Sequence, residues 1–128
     1  MAEPDRPPRV VVVADDDDLV RAVLRMALES PQLIVRDAAD TESLDEALRQ
    51  GDADLVVLDI SIPGPGLAHN IGLIRTASPA PRILILSGDA AVPQAQSGLI
   101  DDFARKPIEL DDLRERVARL LNDPPVTP

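Results

Sequence analysis

Cysteine, tryptophan and tyrosine are missing from this chain, and phenylalanine, histidine and lysine occur once each, as Phe103, His69 and Lys106. Without cysteine there are no disulfides, thiolate metal sites or cysteine nucleophiles, which fits a reducing cytosol and makes a cytoplasmic location the expectation. Without aromatic bulk the core has to be aliphatic, and 45% hydrophobic residues suffice to build one. No apolar run approaches the roughly 20 residues that span a bilayer, and residues 1–8 are too Pro-rich and charged for a signal peptide. A formal net charge of -10 argues against direct binding to nucleic acid or an anionic membrane, since both demand clustered basic residues. Twelve arginines against one lysine point to a biased source composition and make the surviving lysine noteworthy.

The 128 residues fit one domain. Short apolar runs at 9–14, 33–36, 55–58 and 82–86, with a weaker one at 102–105, alternate with amphipathic stretches. That alternation predicts βα units around a buried parallel sheet, an α/β fold. Helices are expected over 19–29, with Asp18 as N-cap, and over 42–50, capped by Asp40 or Thr41 and stopped at Gly51. Two more are expected over 67–76, weakened by Gly72, and over 109–121, ending before Pro124. Arg114, Arg116 and Arg119 read as the solvated face of the last helix. Between residues 88 and 100, Gly88, Pro93 and Gly98 leave room for at most a short fourth helix. The expected domain covers 9–122, between disordered ends at 1–8 and 123–128.

In an open parallel sheet, ligands gather beyond the carboxyl ends of the strands. There the chain places Asp15 and Asp16 after the first strand, Asp59 after the third, Ser87 after the fourth and Lys106 after the fifth. Clustered carboxylates repel one another unless a cation joins them, and three of them form a hard oxygen site suited to Mg2+. A carboxylate beside such a metal can act as nucleophile toward phosphorus, with an ammonium and a hydroxyl compensating charge on the transferred group. Asp17 and Asp18 read as a loop charge and a helix cap. His69 reads as a surface residue.

These residues stand in Val-Val-Ala-Asp15-Asp16-Asp17-Asp18-Leu-Val-Arg21, Leu-Val-Val-Leu-Asp59-Ile-Ser-Ile-Pro63, Ile-Leu-Ser87-Gly88 and Lys106-Pro107. In this order the chain resembles the receiver domains of two-component response regulators, with the chemotaxis protein CheY as their minimal form. The resemblance implies a single flavodoxin-like, doubly wound domain with strand order 2-1-3-4-5. It implies that Asp59 is the phosphoacceptor, served by a histidine kinase or phosphotransfer protein, and that Asp16, Asp59 and the Ser61 backbone carbonyl hold Mg2+, with Asp15 acting through water. Lys106 would pair with Asp59 and then with the phosphoryl oxygens. Ser87 would bond the same group and Phe103 report its state, although Phe103 also fits as plain core. Ser61 and Asp89 would tune dephosphorylation, and Lys106-Pro107 is a candidate cis peptide. Such a protein catalyses only its own phosphoryl transfer and autodephosphorylation. It signals to a downstream protein or effector domain, as a monomer or a phosphorylation-dependent dimer.

The loop from Asp59 to Leu67 and the stretch from Ser87 to Lys106 are shorter than the family pattern, which touches the signalling surface more than the chemistry. Two other readings fit parts of the chain. One is a pseudo-receiver, a binding module indifferent to phosphorylation. The other is a phosphohydrolase of the haloacid dehalogenase type, with Asp15 as nucleophile and Asp17 as acid.

Overall fold

The computed structural model describes residues 7–88 and 98–122. In chain order these form β1 (Arg9–Ala14), α1 (Asp18–Leu28), β2 (Leu33–Ala38), α2 (Thr41–Leu48), β3 (Leu55–Asp59), α3 (Leu67–Thr76), β4 (Arg82–Ser87), β5 (Asp102–Arg105) and α4 (Leu110–Asn122). The sheet is parallel throughout, in the order β2-β1-β3-β4-β5. The strand order therefore reverses between β1 and β3, and a crevice opens beyond their carboxyl ends. The expected α/β architecture and strand order hold. Residues 89–97, which include Pro93 and most of the expected short fourth helix, lie outside the described residues, as do 1–6 and 123–128.

The apolar runs lack polar alternation because both faces of the sheet are covered. Val11, Val13, Leu55, Val57, Leu84 and Leu86 face one layer, where Leu24 and Leu28 of α1 and Leu113, Val117 and Leu120 of α4 close over them. Their neighbours Val12, Ala14, Val56, Leu58, Ile83 and Ile85 face the other, beneath Leu44 and Leu48 of α2 and Ile71 and Ile74 of α3. At about 1.5–3 kcal/mol for each fully buried branched side chain, these two layers are the main source of stability. They hold the strand ends rigidly in register.

Several boundaries differ from expectation for identifiable reasons. The N-cap of α1 is Asp17, not Asp18: its carboxylate accepts from Leu19 N at 2.9 Å and Val20 N at 3.1 Å, while Asp18 is the first helical residue. The cap of α2 is Asp40, in a capping box with Ser43, so Thr41 opens the helix. The Asp40 carboxyl is held below its usual range by hydrogen bonds from the Ser43 backbone and side chain. Strand β2 runs to Ala38 because its register with β1 continues through Asp37 opposite Val13, and Arg25, 3.0 Å from Asp37, offsets that charge. Nor are the α4 arginines a plain solvated face. Arg116 is 3.0 Å from Asp102 and also donates to the Phe103 carbonyl, Arg119 lies 3.4 Å from Asp102, and Arg114 donates to Ala27 O at the end of α1.

Candidate functional site

Each residue at the carboxyl edge is placed by the strand before it. Asp15 continues the ladder, its N–H donating to Ala38 O at 2.9 Å, and it is almost wholly buried. Asp15 Oδ1 accepts from Asp17 N at 2.9 Å, Oδ2 accepts from Lys106 Nζ at 2.7 Å, and the carbonyl accepts from Arg21 Nη1 at 2.7 Å. Asp16, next in line, is exposed at the mouth. Asp59 closes β3 and is buried. One of its oxygens lies 3.2 Å from Lys106 Nζ and the other accepts from Ser61 Oγ at 3.2 Å. Lys106 is anchored beside β4 by its N–H, which donates to Ser87 O at 2.8 Å, and its bond to Pro107 is cis, as is Ser78-Pro79.

Asp15, Asp16 and Asp59 each offer a carboxylate oxygen, and these oxygens lie within 4.8 Å of one another. Repulsion between ionised carboxylates at that separation is on the order of a few kcal/mol per pair at an effective dielectric near 20. One ammonium, shared between Asp15 and Asp59, offsets part of it. For Lys106 burial acts to lower the pKa, but the hydrogen bond to Asp15 and the charge and hydrogen bond of Asp59 outweigh it and hold the group above the ordinary lysine range. The donor set is entirely oxygen, with one carboxylate open to solvent, which fits a hard divalent cation that retains several waters.

The structure thus brings together Asp15, Asp16, Asp59, Ser61 and Lys106. Ser87, fully buried, ends β4 on the same edge. Phe103 is half-buried against the α2 and α3 layer, and His69 is exposed on α3 and is not part of the carboxylate cluster. Asp89 lies outside the described residues. Two features were not foreseen. The carboxylate nearest Lys106 is Asp15 rather than Asp59, and Arg21 holds the Asp15 carbonyl. Arg21 stands inside the acidic motif, at helical spacing from Asp17, which was its only sequence signal.

A buried parallel sheet with acidic residues, a serine and a lysine gathered at its carboxyl edge defines a signalling receiver fold. Residues 11–118 match the response regulator receiver domain family, and the chain belongs to that family. It is 29% identical over 130 residues to the probable transcriptional regulatory protein TcrX of Mycobacterium tuberculosis, covering 99% of this chain and 56% of TcrX. It is 30% identical over 118 residues to the DNA-binding transcriptional regulator NtrC of Rhizobium meliloti, covering 89% of this chain and 24% of NtrC. The chain therefore spans about half or less of these curated relatives. Among solved structures it resembles the response regulator TrrA of Thermotoga maritima in complex with Mg(2+)-BeF. That match has a TM-score of 0.78 at 27% identity, covering 88% of this chain and 99% of that one. No helix among the described residues is long and apolar enough to cross a membrane.

Proposed function

We propose that this receiver is a phosphorylation switch in which Asp59 accepts a phosphoryl group from the phosphohistidine of a kinase or phosphotransfer protein. The observation that carries the reading is the placement of Lys106 Nζ 2.7 Å from Asp15 and 3.2 Å from Asp59, beside three converging carboxylates. Asp59 attacks phosphorus as the P–N bond to the donor imidazole breaks. Lys106, already next to the attacking carboxylate, moves its charge onto the phosphoryl oxygens, and Ser87 supplies a hydroxyl from the same edge. Asp16, Asp59 and the Ser61 carbonyl would hold Mg2+, with Asp15 acting through water, and the metal would supply charge neutralisation at the transferred group. Ser61, whose hydroxyl meets the acceptor carboxylate, and Asp89 would tune dephosphorylation, and Phe103 reads the position of Ser87.

The chain's reaction is with itself, through phosphorylation and hydrolysis of its own aspartyl phosphate. Phosphorylation shifts the population toward an active conformation, and a downstream protein or effector domain reads it. The transcriptional-regulator relatives support such an output, while the net charge of -10 favours protein contact over direct nucleic-acid binding. The output form is a monomer or a phosphorylation-dependent dimer. The hydrolase reading loses its acid, since the Asp17 carboxylate is committed to the α1 cap.

The test is intact-mass analysis of the parent and Asp59→Asn proteins with Mg2+ and acetyl phosphate. The parent gains one phosphoryl group and the variant gains none. A parent that gains no mass and shows no beryllofluoride response would identify a pseudo-receiver.

A further inference from the structure

On the α2 side of the sheet, in a layer whose buried cluster is apolar, Thr41 and Asn70 form a buried polar pair. Thr41 is 7% exposed and Asn70 fully buried. Residues 29 positions apart are joined by a 2.7 Å contact between Thr41 Oγ1 and Asn70 Oδ1. Burying such a pair costs more than burying leucine or valine would, so its place there calls for a reason.

That reason lies in the β3–α3 loop. Thr41 N donates to Pro63 O at 3.0 Å, and Thr41 Oγ1 lies 3.3 Å from the same carbonyl. Gly64, at φ +141°, passes so close that a Cβ there would stand 2.1 Å from Thr41 Oγ1, and only glycine fits that backbone and that gap. Asn70 N donates to Gly66 O at 3.1 Å. As oriented, Asn70 Nδ2 is buried without an acceptor. Turned by half a rotation, the amide nitrogen would donate to Thr41 Oγ1 and leave the hydroxyl hydrogen for Pro63 O; in either orientation Thr41 links Asn70 to the loop through its N–H on Pro63 O. At its other end the loop is pinned by Ile60 N, which donates to Leu86 O at 3.1 Å. Ser61 is held between these two anchors.

We infer that Thr41 and Asn70 are positioning residues. Although they lie outside the acidic cluster, they fix the β3–α3 loop and so set where Ser61 presents its carbonyl and hydroxyl beside Asp59. The inference rests on the magnesium reading given above, and its test separates the two.

The parent, Thr41→Val, which keeps shape but loses the hydroxyl, and Thr41→Ser, which keeps the hydroxyl, are compared by amide hydrogen exchange without metal and by Mg2+ titration. Loss of one anchoring hydrogen bond predicts about tenfold faster exchange at Ser61, Ile62, Gly64 and Gly66 in T41V, with β1 and β4 unchanged. The Mg2+ dissociation constant rises by about tenfold, the low end of the range seen when a supporting partner of a metal ligand is lost. T41S restores both. Should T41V grossly unfold, Asn70→Ser replaces it, with the same local pattern expected. Parent-like exchange and affinity in T41V, or acceleration spread evenly over the sheet, would overturn the inference. A parent that binds no Mg2+ would overturn the metal reading and this inference with it, even where loop exchange alone responds.

Discussion

At the amino end of the sheet, Asp54 and Asp101 stand just ahead of β3 and β5, and each carboxylate completes a strand start. Asp54 accepts from Val10 N and Asp101 from Ile83 N, both at 2.8 Å, with Arg9 and Arg82 alongside at 3.5 and 3.9 Å. At the carboxyl end, Asp15 and Asp59 are more deeply buried and share a single ammonium, while Asp16 faces solvent with them. The residue type is the same, and so is the sheet. Where each carboxylate has its own backbone donor and its own arginine, the arrangement is self-sufficient. Where three carboxylates gather and one lysine reaches two of them, charge remains for something else to neutralise, and the fold's helix layers bear the cost.

Lys106 is where this contrast is most exposed to test. Lys106→Met leaves Asp15 and Asp59 facing each other without their cation and is expected to cost about 2 kcal/mol, less than for a fully buried pair because the lysine is partly solvated. Arg82→Ala, at the other end, is expected to cost about 0.5 kcal/mol. The pH dependence has a definite sign. The folded-state pKa of Lys106 lies above its ordinary value, so its contribution is complete below about pH 10 and is lost as pH rises through the folded value. The chain has no tyrosine, no cysteine and no second lysine, so side-chain titration in that alkaline window belongs to Lys106. Urea unfolding from pH 8 to 12 should show a fall in stability for the parent that K106M lacks. Equal slopes for the two would mean the ion pairs contribute nothing.

The next effect is smaller. Asp54→Ala removes the acceptor from Val10 N at a partly solvated strand start and should lower stability by about 1 kcal/mol, with Mg2+ affinity unchanged. An altered Mg2+ affinity in D54A would show that the two ends are coupled through β1 and β3, and the contrast between them would fail.

Much of this was legible beforehand because the signals are local and periodic. β1 and β5 fall where the apolar runs place them, α3 spans the expected residues, and the strand-end positions of Asp15, Asp59, Ser87 and Lys106 follow once the alternation is read as a parallel sheet. Less legible were features decided by one residue or by distant partners. Asp17 and Asp18 are both good caps, and only the backbone path selects Asp17. The extension of β2 through Arg36 and Asp37 depends on pairing with β1 and on charge from α1. The closeness of Lys106 to Asp15 joins positions 91 residues apart, and the Thr41–Asn70 tie joins two helices. Neither leaves a mark in local composition.

The smallest predicted effect divides the aspartate run itself. Asp17 and Asp18 are adjacent acids on the surface, yet Asp17 accepts two backbone N–H groups of α1 while Asp18 makes one exposed pair with Arg21 at 2.7 Å. Asp17→Ala should therefore cost about 1 kcal/mol and Asp18→Ala no more than about 0.5 kcal/mol, read as urea midpoints. Asp17→Asn separates cap from charge, because asparagine caps as well as aspartate but carries no charge. It is expected to match the parent in stability and in Mg2+ affinity, whereas Asp16→Asn should weaken Mg2+ binding. If D17N lost as much Mg2+ affinity as D16N, the boundary between metal site and helix cap would not fall between these two residues, and the run would have to act as one electrostatic unit.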